Sequence, residues 1–182
     1  MLEAAARLFG TQRFHEVRME DIAAEAEVGK GTLYRYFEDK EELYLALLAR
    51  ASEQFIRRLR EEVRHPTGSR RRLEALVTSI ISFFDEHPHL LDLIQRAEVM
   101  PRPGAASAWQ QARDDVSLLL AQLFAEAKRD GEFVIHRPEL AALMLLGGLR
   151  SVIRFGKRPR AADLSQQIVA EVLQGAASLP DR

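Results

Sequence analysis

The chain has 182 residues, a formal net charge of −1 and no cysteine. Hydrophobic residues make up 47% and charged residues 29%, the balance of a soluble globular protein with one large or two small domains. The missing cysteines exclude a disulfide framework and thiolate chemistry, and the near-neutral charge excludes a strongly basic, sequence-indifferent nucleic-acid binder.

Apolar residues recur at helical spacing, proline and glycine fall between the periodic segments, and no stretch alternates apolar and polar residues for long. An all-α fold is therefore predicted. Residues 2–11 place Leu2, Ala5, Leu8 and Phe9 on one helix face. Residues 20–26 form a second helix with Ile22 and Ala23 inward. Residues 30–37 form a third, with Leu33 and Phe37 packing on Phe9 and Ile22. Asp39 then opens a long helix. Its carboxylate is placed to accept from the N–H of Glu42 while Glu42 reaches back, a capping-box arrangement. Leu43, Leu47, Ala51 and Phe55 follow at steps of four, and the helix stops at His65-Pro66-Thr67-Gly68, a turn that punctuates the chain. Further helices are predicted over 73–86, 89–99, 105–130, 138–155 and 162–176. Pro88 breaks the first pair, Pro101-Arg102-Pro103-Gly104 reads as a rigid loop, and Gly131 ends the 105–130 helix. Pro138 suits the first turn of the next helix, and Gly156-Lys157-Arg158-Pro159 precedes the last. The longest apolar run, 140–149, is too short to span a bilayer, and no secretory signal is visible, so a cytoplasmic protein without a membrane partner is expected.

Two short helices joined by a tight turn, the second carrying Lys, Thr, Tyr and Arg, suit a reader of the DNA major groove. Gly31 lets the helix approach the duplex closely, and Thr32 offers a hydroxyl to a base or phosphate and a methyl to thymine. Tyr34 and Tyr36 carry phenols that can donate to phosphates; plain packing is the competing reading for both. Lys30 and Arg35 are candidates for base edges, a solvated or salt-bridged state being the alternative for Arg35. Lys40, at the start of the long helix, is expected to meet a phosphate.

Phe14, Met19, Asp21-Ile22-Ala23, Val28, Gly31-Thr32-Leu33-Tyr34, Tyr36-Phe37 and Lys40-Glu41-Glu42-Leu43 stand in an order and spacing that resemble the TetR family of bacterial one-component regulators. The resemblance implies a helix-turn-helix DNA-binding domain over 1–45, joined by a long helix to a helical ligand-binding and dimerisation domain over 46–182. It implies a repressor released from a palindromic double-stranded DNA operator by a small apolar or amphipathic effector, with no cofactor and no enzymatic activity. Four departures bear on affinity. Glu27 stands where glycine commonly makes the turn, Gly29 where serine caps the recognition helix, and Val17-Arg18 where hydroxyl residues open the second helix. Arg18 is then expected to reach a phosphate itself. The chain also begins almost at the first helix, without the basic arm of many relatives. Carboxylates outnumber cations over residues 1–50, so DNA binding through few phosphate contacts and marked salt sensitivity are predicted.

A single recognition helix reads few base pairs, which favours a homodimer. The 140–149 run is apolar nearly all round, and Leu143, Gly147 and Gly148 with Ile168, Val172 and Leu173 are the expected dimer seam, an intrachain core being the alternative. Phe55, Phe83, Phe84, Leu91, Ile94, Trp109, Arg113, Val116 and Met144 are the expected ligand-lining residues, with Arg113 a fixer for an anionic group; ordinary core is the reading for at least half of them. Two rivals stand beside this: a constitutive regulator without ligand, and a metal-dependent enzyme built on Asp85-Glu86-His87-Pro88-His89. Pro88 disrupts the helical ligand spacing that the second requires.

Overall fold

The structure, a computed structural model, describes residues 1–64, 68–99, 105–131 and 134–177. The predicted loop at 101–104 and residues 65–67 of the predicted turn lie outside the described residues. Every element among the described residues is a helix: α1 Leu2–Thr11, α2 Met19–Glu25, α3 Lys30–Tyr36, α4 Lys40–Glu62, α5 Ser69–Glu86, α6 Leu90–Val99, α7 Ala105–Arg129, α8 Pro138–Phe155 and α9 Leu164–Ala177. None of these is long and apolar enough to cross a membrane.

Local chemistry explains the helix ends. The Glu42 N–H donates to Asp39 Oδ1 at 2.7 Å, and the Glu42 carboxylate reaches back to accept from the N–H of Glu38. Gly131, with φ +71°, sits in the left-handed conformation that follows α7. Pro138 stands in the first turn of α8. At the other end of α8, Arg160 donates to the carbonyls of Val152 at 3.0 Å, which also accepts from the Gly156 N–H, and of Ile153 at 3.2 Å.

The chain forms two compact units. One comprises Met1–Gln54 and His87–Gln111, the other Phe55–Glu86 and Ala112–Arg182. The expected division after residue 45 falls inside α4. In the first unit, α1 packs on α2 and α2 on α3, over buried Ala5, Phe9, Ile22 and Leu33. Phe37 is half-buried. The ring partners of Phe9 are Tyr44 at 5.0 Å and Phe14 at 5.8 Å, and Phe14 meets Tyr44 edge-on at 4.7 Å. Burial pushes the Tyr44 phenol well above its ordinary pKa.

In the second unit α5 packs on α8 and α9. Its interior includes Phe55, Leu76, Phe83, Leu120, Phe124 and Leu149. Each buried large apolar side chain contributes about 1.5–3 kcal/mol, and that burial dominates the stability of both units. Arginines bind the periphery: Arg60 to Asp115 at 2.8 Å, Arg72 to Glu126 at 2.7 Å, and Arg58 to Glu86 at 2.8 Å.

Candidate nucleic-acid interface

The turn between α2 and α3 is a Schellman motif. The Val28 N–H donates to the Ala23 carbonyl and the Glu27 N–H to the Ala24 carbonyl, both at 3.0 Å. Glu27 occupies the position that glycine usually takes, with φ +53°. The turn has therefore kept its normal geometry and placed a non-glycine residue in the left-handed region. Gly29 caps α3 without a side-chain hydrogen bond.

From that turn α3 presents one face to solvent. Tyr34 is 42% exposed and Tyr36 58%, whereas Leu33 is buried. Plain packing does not account for either tyrosine. Gly31 is exposed, and a methyl group added there would meet no atom within 4 Å, so nothing in the chain itself requires glycine. Thr32 is half-buried. The Arg35 guanidinium lies 5.4 Å from the Tyr36 ring, and the Lys30 ammonium 5.7 Å from the Tyr34 ring. Lys30 also makes a close ion pair with Glu20 of α2, which holds the Glu20 carboxyl below its usual pKa and the Lys30 ammonium above. Arg7 pairs with Glu25 and Arg50 with Glu3. Among the described residues no carboxylate pairs with Arg18 or Arg35.

Lys40 departs from expectation. Its ammonium turns inward and donates to the carbonyls of Phe14 at 2.6 Å and Val17 at 2.7 Å, 4.3 Å from the Phe14 ring. Burial, with the nearby Arg96 charge, lowers its pKa. Two carbonyl acceptors inside the fold hold the ammonium more firmly than a solvated surface would, so it is not presented as a free cation. Arg96 of α6 also stacks on Phe14, 4.1 Å from the ring. Sequence reasoning missed this cluster, although Phe14 stood in the motif.

The expected ligand residues divide. Phe55, Phe83 and Phe84 form a buried aromatic triad, with ring separations of 4.8 Å, 5.7 Å and 5.9 Å, and Val116 of the same unit is buried. In the other unit Ile94 is buried, and Leu91 and Trp109 are half-buried. Arg113 and Met144 correct the prediction. Arg113 is exposed beside Asp114 at 3.3 Å, and Met144 is 68% exposed, because each occupies the outward face of its helix.

Met144 belongs instead to an apolar face of α8 with Leu140, Leu143 (59% exposed), Gly147 and Phe155. Gly148 is exposed beside them, and neither glycine meets an atom that a methyl would touch. Ile168 and Val172 of α9 are half-buried. Leu173 is buried in the chain's own core, in the unit where α9 packs on α5, and so is not available to a partner.

The acidic and histidine cluster takes other roles. Asp85 is paired with Arg158 and Arg160, and Glu86 with Arg58. Among the described residues no group of three metal-ligating side chains assembles. His89, expected as a metal-ligand candidate, is instead largely buried, its Nδ1 has no partner, and burial pulls its pKa down to about 4.

Residues 1–47 match the family of bacterial regulatory proteins of tetR type, and residues 66–155 match the tetracyclin-repressor-like C-terminal domain. The transcriptional activator FasR of Mycolicibacterium smegmatis is 30% identical over 80% of this chain and 65% of its own length. The transcriptional repressor KstR of Rhodococcus jostii is 31% identical over 72% and 59%. The chain thus matches roughly three fifths to two thirds of the length of these relatives. The fold matches that of the transcriptional regulator FadR of Bacillus subtilis, solved in complex with stearoyl-CoA, with a TM-score of 0.78, 20% identity and 96% of both chains covered. With the exposed α3 face and the two matched regions together, these findings establish that the chain belongs to the TetR family of DNA-binding transcriptional regulators.

Proposed function

We propose that this chain is a cytoplasmic, dimeric repressor that leaves a palindromic operator when an amphipathic acyl compound, of the long-chain acyl-CoA class, binds its helical domain. The observation that carries the DNA half is the exposed row of Gly31, Tyr34, Arg35 and Tyr36 on α3. Arg18 adds an exposed cation at the start of α2. The ligand half is supported by the aromatic triad of Phe55, Phe83 and Phe84 and by likeness to a fold that holds stearoyl-CoA in another protein. A ligand shifts the population between two placements of α4, and so the spacing of the paired recognition helices, which an operator fixes at about one DNA turn. The dimer would use the apolar face of α8, where Gly147 and Gly148 admit close helix approach.

The test begins with operator selection from random duplexes. The complex is then titrated with stearoyl-CoA, and with free coenzyme A as control. Release by the acyl compound alone supports the proposal. Release by neither favours a constitutive regulator. Leu143→Asp leaves the fold intact, since the side chain is exposed, and should yield monomers in sedimentation. A dimer that survives it places the seam elsewhere.

A further inference from the structure

Lys40 stands in the signature of the DNA-reading region, yet its ammonium is committed inside the protein. What it holds there is informative. The Val17 carbonyl that it binds at 2.7 Å belongs to the peptide group whose N–H is that of Arg18. That N–H donates to Asp21 Oδ2 at 3.0 Å. One peptide plane is therefore pinned at both ends, by a cation on its oxygen and a carboxylate on its nitrogen. Arg18 leaves that plane with φ −105° and ψ 155°, as the residue that opens α2. The side chain of Val17 is buried, so the plane has no freedom from that side either. The Phe14 carbonyl, at 2.6 Å, and the Phe14 ring, at 4.3 Å, seat the ammonium, and Arg96 packs on the same ring.

We propose that Lys40 is a positioning residue of the DNA interface: it fixes the Val17–Arg18 peptide so that the unpaired Arg18 guanidinium is delivered to a phosphate, and is not itself a phosphate ligand. This rests on the DNA-binding reading above. It also explains how α2 functions without the hydroxyl residues that commonly open it in the family. The cation at position 18 supplies the contact, and the cation at position 40 supplies its aim.

The proposal separates from a direct Lys40–phosphate contact by counting ions. Each phosphate that a variant no longer neutralises lowers the slope of log affinity against log salt by about 0.9 per bound protomer. Arg18→Ala, Lys40→Met and the double variant are titrated with an operator duplex selected by the wild-type protein, across roughly 50–200 mM salt. Each single variant is expected to lower the slope by about one phosphate per protomer, and the double variant by no more than either alone. Thermal melts confirm that every variant is folded at the working temperature; a loss of stability alone does not alter the slope. If Lys40→Met does not fold, Lys40→Gln, which retains one donor, enters the same cycle. Slopes that add in the double variant would make Lys40 a phosphate ligand in its own right and overturn the proposal. So would an unchanged slope in either single variant. Failure of the wild-type protein to select any duplex would instead defeat the DNA-binding reading itself.

Discussion

Arg160 grips Asp85 through two parallel bonds, Nε to Oδ2 at 2.5 Å and Nη2 to Oδ1 at 2.8 Å. The arginine side chain is only 10% exposed, and it also donates to two carbonyls at the end of α8. One side chain thus joins the end of α5 to the end of α8. Asp85→Asn should destabilise the protein by about 2 kcal/mol, because it leaves a largely buried guanidinium without its counter-charge. Arg160 holds the Asp85 carboxyl below its ordinary pKa of 3.8. A carboxyl lowered in the folded state gives stability that is present above that value and lost as pH falls below it. Urea titrations of wild type and Asp85→Asn at neutral pH and below pH 4 should therefore converge in acid.

A different group acts at milder acidity. Folding lowers the His89 pKa from 6.5 to about 4, chiefly by burial and secondarily through the facing His87. Between those two values the unfolded chain binds the extra proton, so stability falls as pH drops through the window. Removing the imidazole with His89→Gln should flatten the stability profile between pH 6.5 and 4 and leave the more acidic part to carboxylates such as Asp85. A profile of unchanged slope in that window would assign the loss to other groups.

Glu27 holds φ +53° inside a complete Schellman motif, so glycine fits the same hydrogen bonds without the Cβ penalty. Glu27→Gly should raise stability by about 1 kcal/mol, measured as a higher urea midpoint at constant m-value. A lower midpoint would mean that the Glu27 side chain supports the turn by an interaction worth more than the strain.

Gly31→Ala separates folding from recognition. The added methyl meets nothing in the free protein, and alanine is the better helix former by up to about 1 kcal/mol. The thermal midpoint should rise or hold, while affinity for the selected operator falls at least several-fold. An alanine variant that binds as tightly as wild type would remove Gly31 from the contact surface.

If α3 reads DNA as proposed, Glu20 competes with the duplex for Lys30. The pair is exposed on both sides, so its strength is modest, but it withholds one cation from the phosphate backbone. Glu20→Gln should strengthen binding to random-sequence duplexes several-fold and steepen their salt dependence by about one phosphate per protomer. Unchanged salt dependence would show that Lys30 already reaches DNA with Glu20 in place.

The helices were legible because periodicity and punctuation agreed. Glycine and proline fall where helices end, and α1, α4 and α8 carry their apolar residues at steps of three and four. The face that each helix turns inward was harder to read where apolar residues surround it. Met144 and Leu145 are adjacent on a run that is greasy on every side, and only packing against α5 decides that Leu145 is buried and Met144 exposed. Arg113 fails for a related reason: sharing a face with Trp109 says nothing about which side of α7 is covered. The inward turn of Lys40 was beyond any spacing rule. It depends on two carbonyls, at Phe14 and Val17, that a chain reversal brings to one point. Main-chain acceptors leave no mark in the sequence.

The chain has three tyrosines, and the fold separates them cleanly. Tyr34 and Tyr36 stand in solvent on α3, while Tyr44 is closed inside the ring cluster with Phe9 and Phe14. Phenol reactivity is therefore partitioned by exposure. A mild nitrating or iodinating reagent would mark the exposed face of α3 and spare the core, and a duplex bound there as proposed would shield both exposed phenols. The surface proposed to read DNA thus comes already equipped with its own footprinting probe.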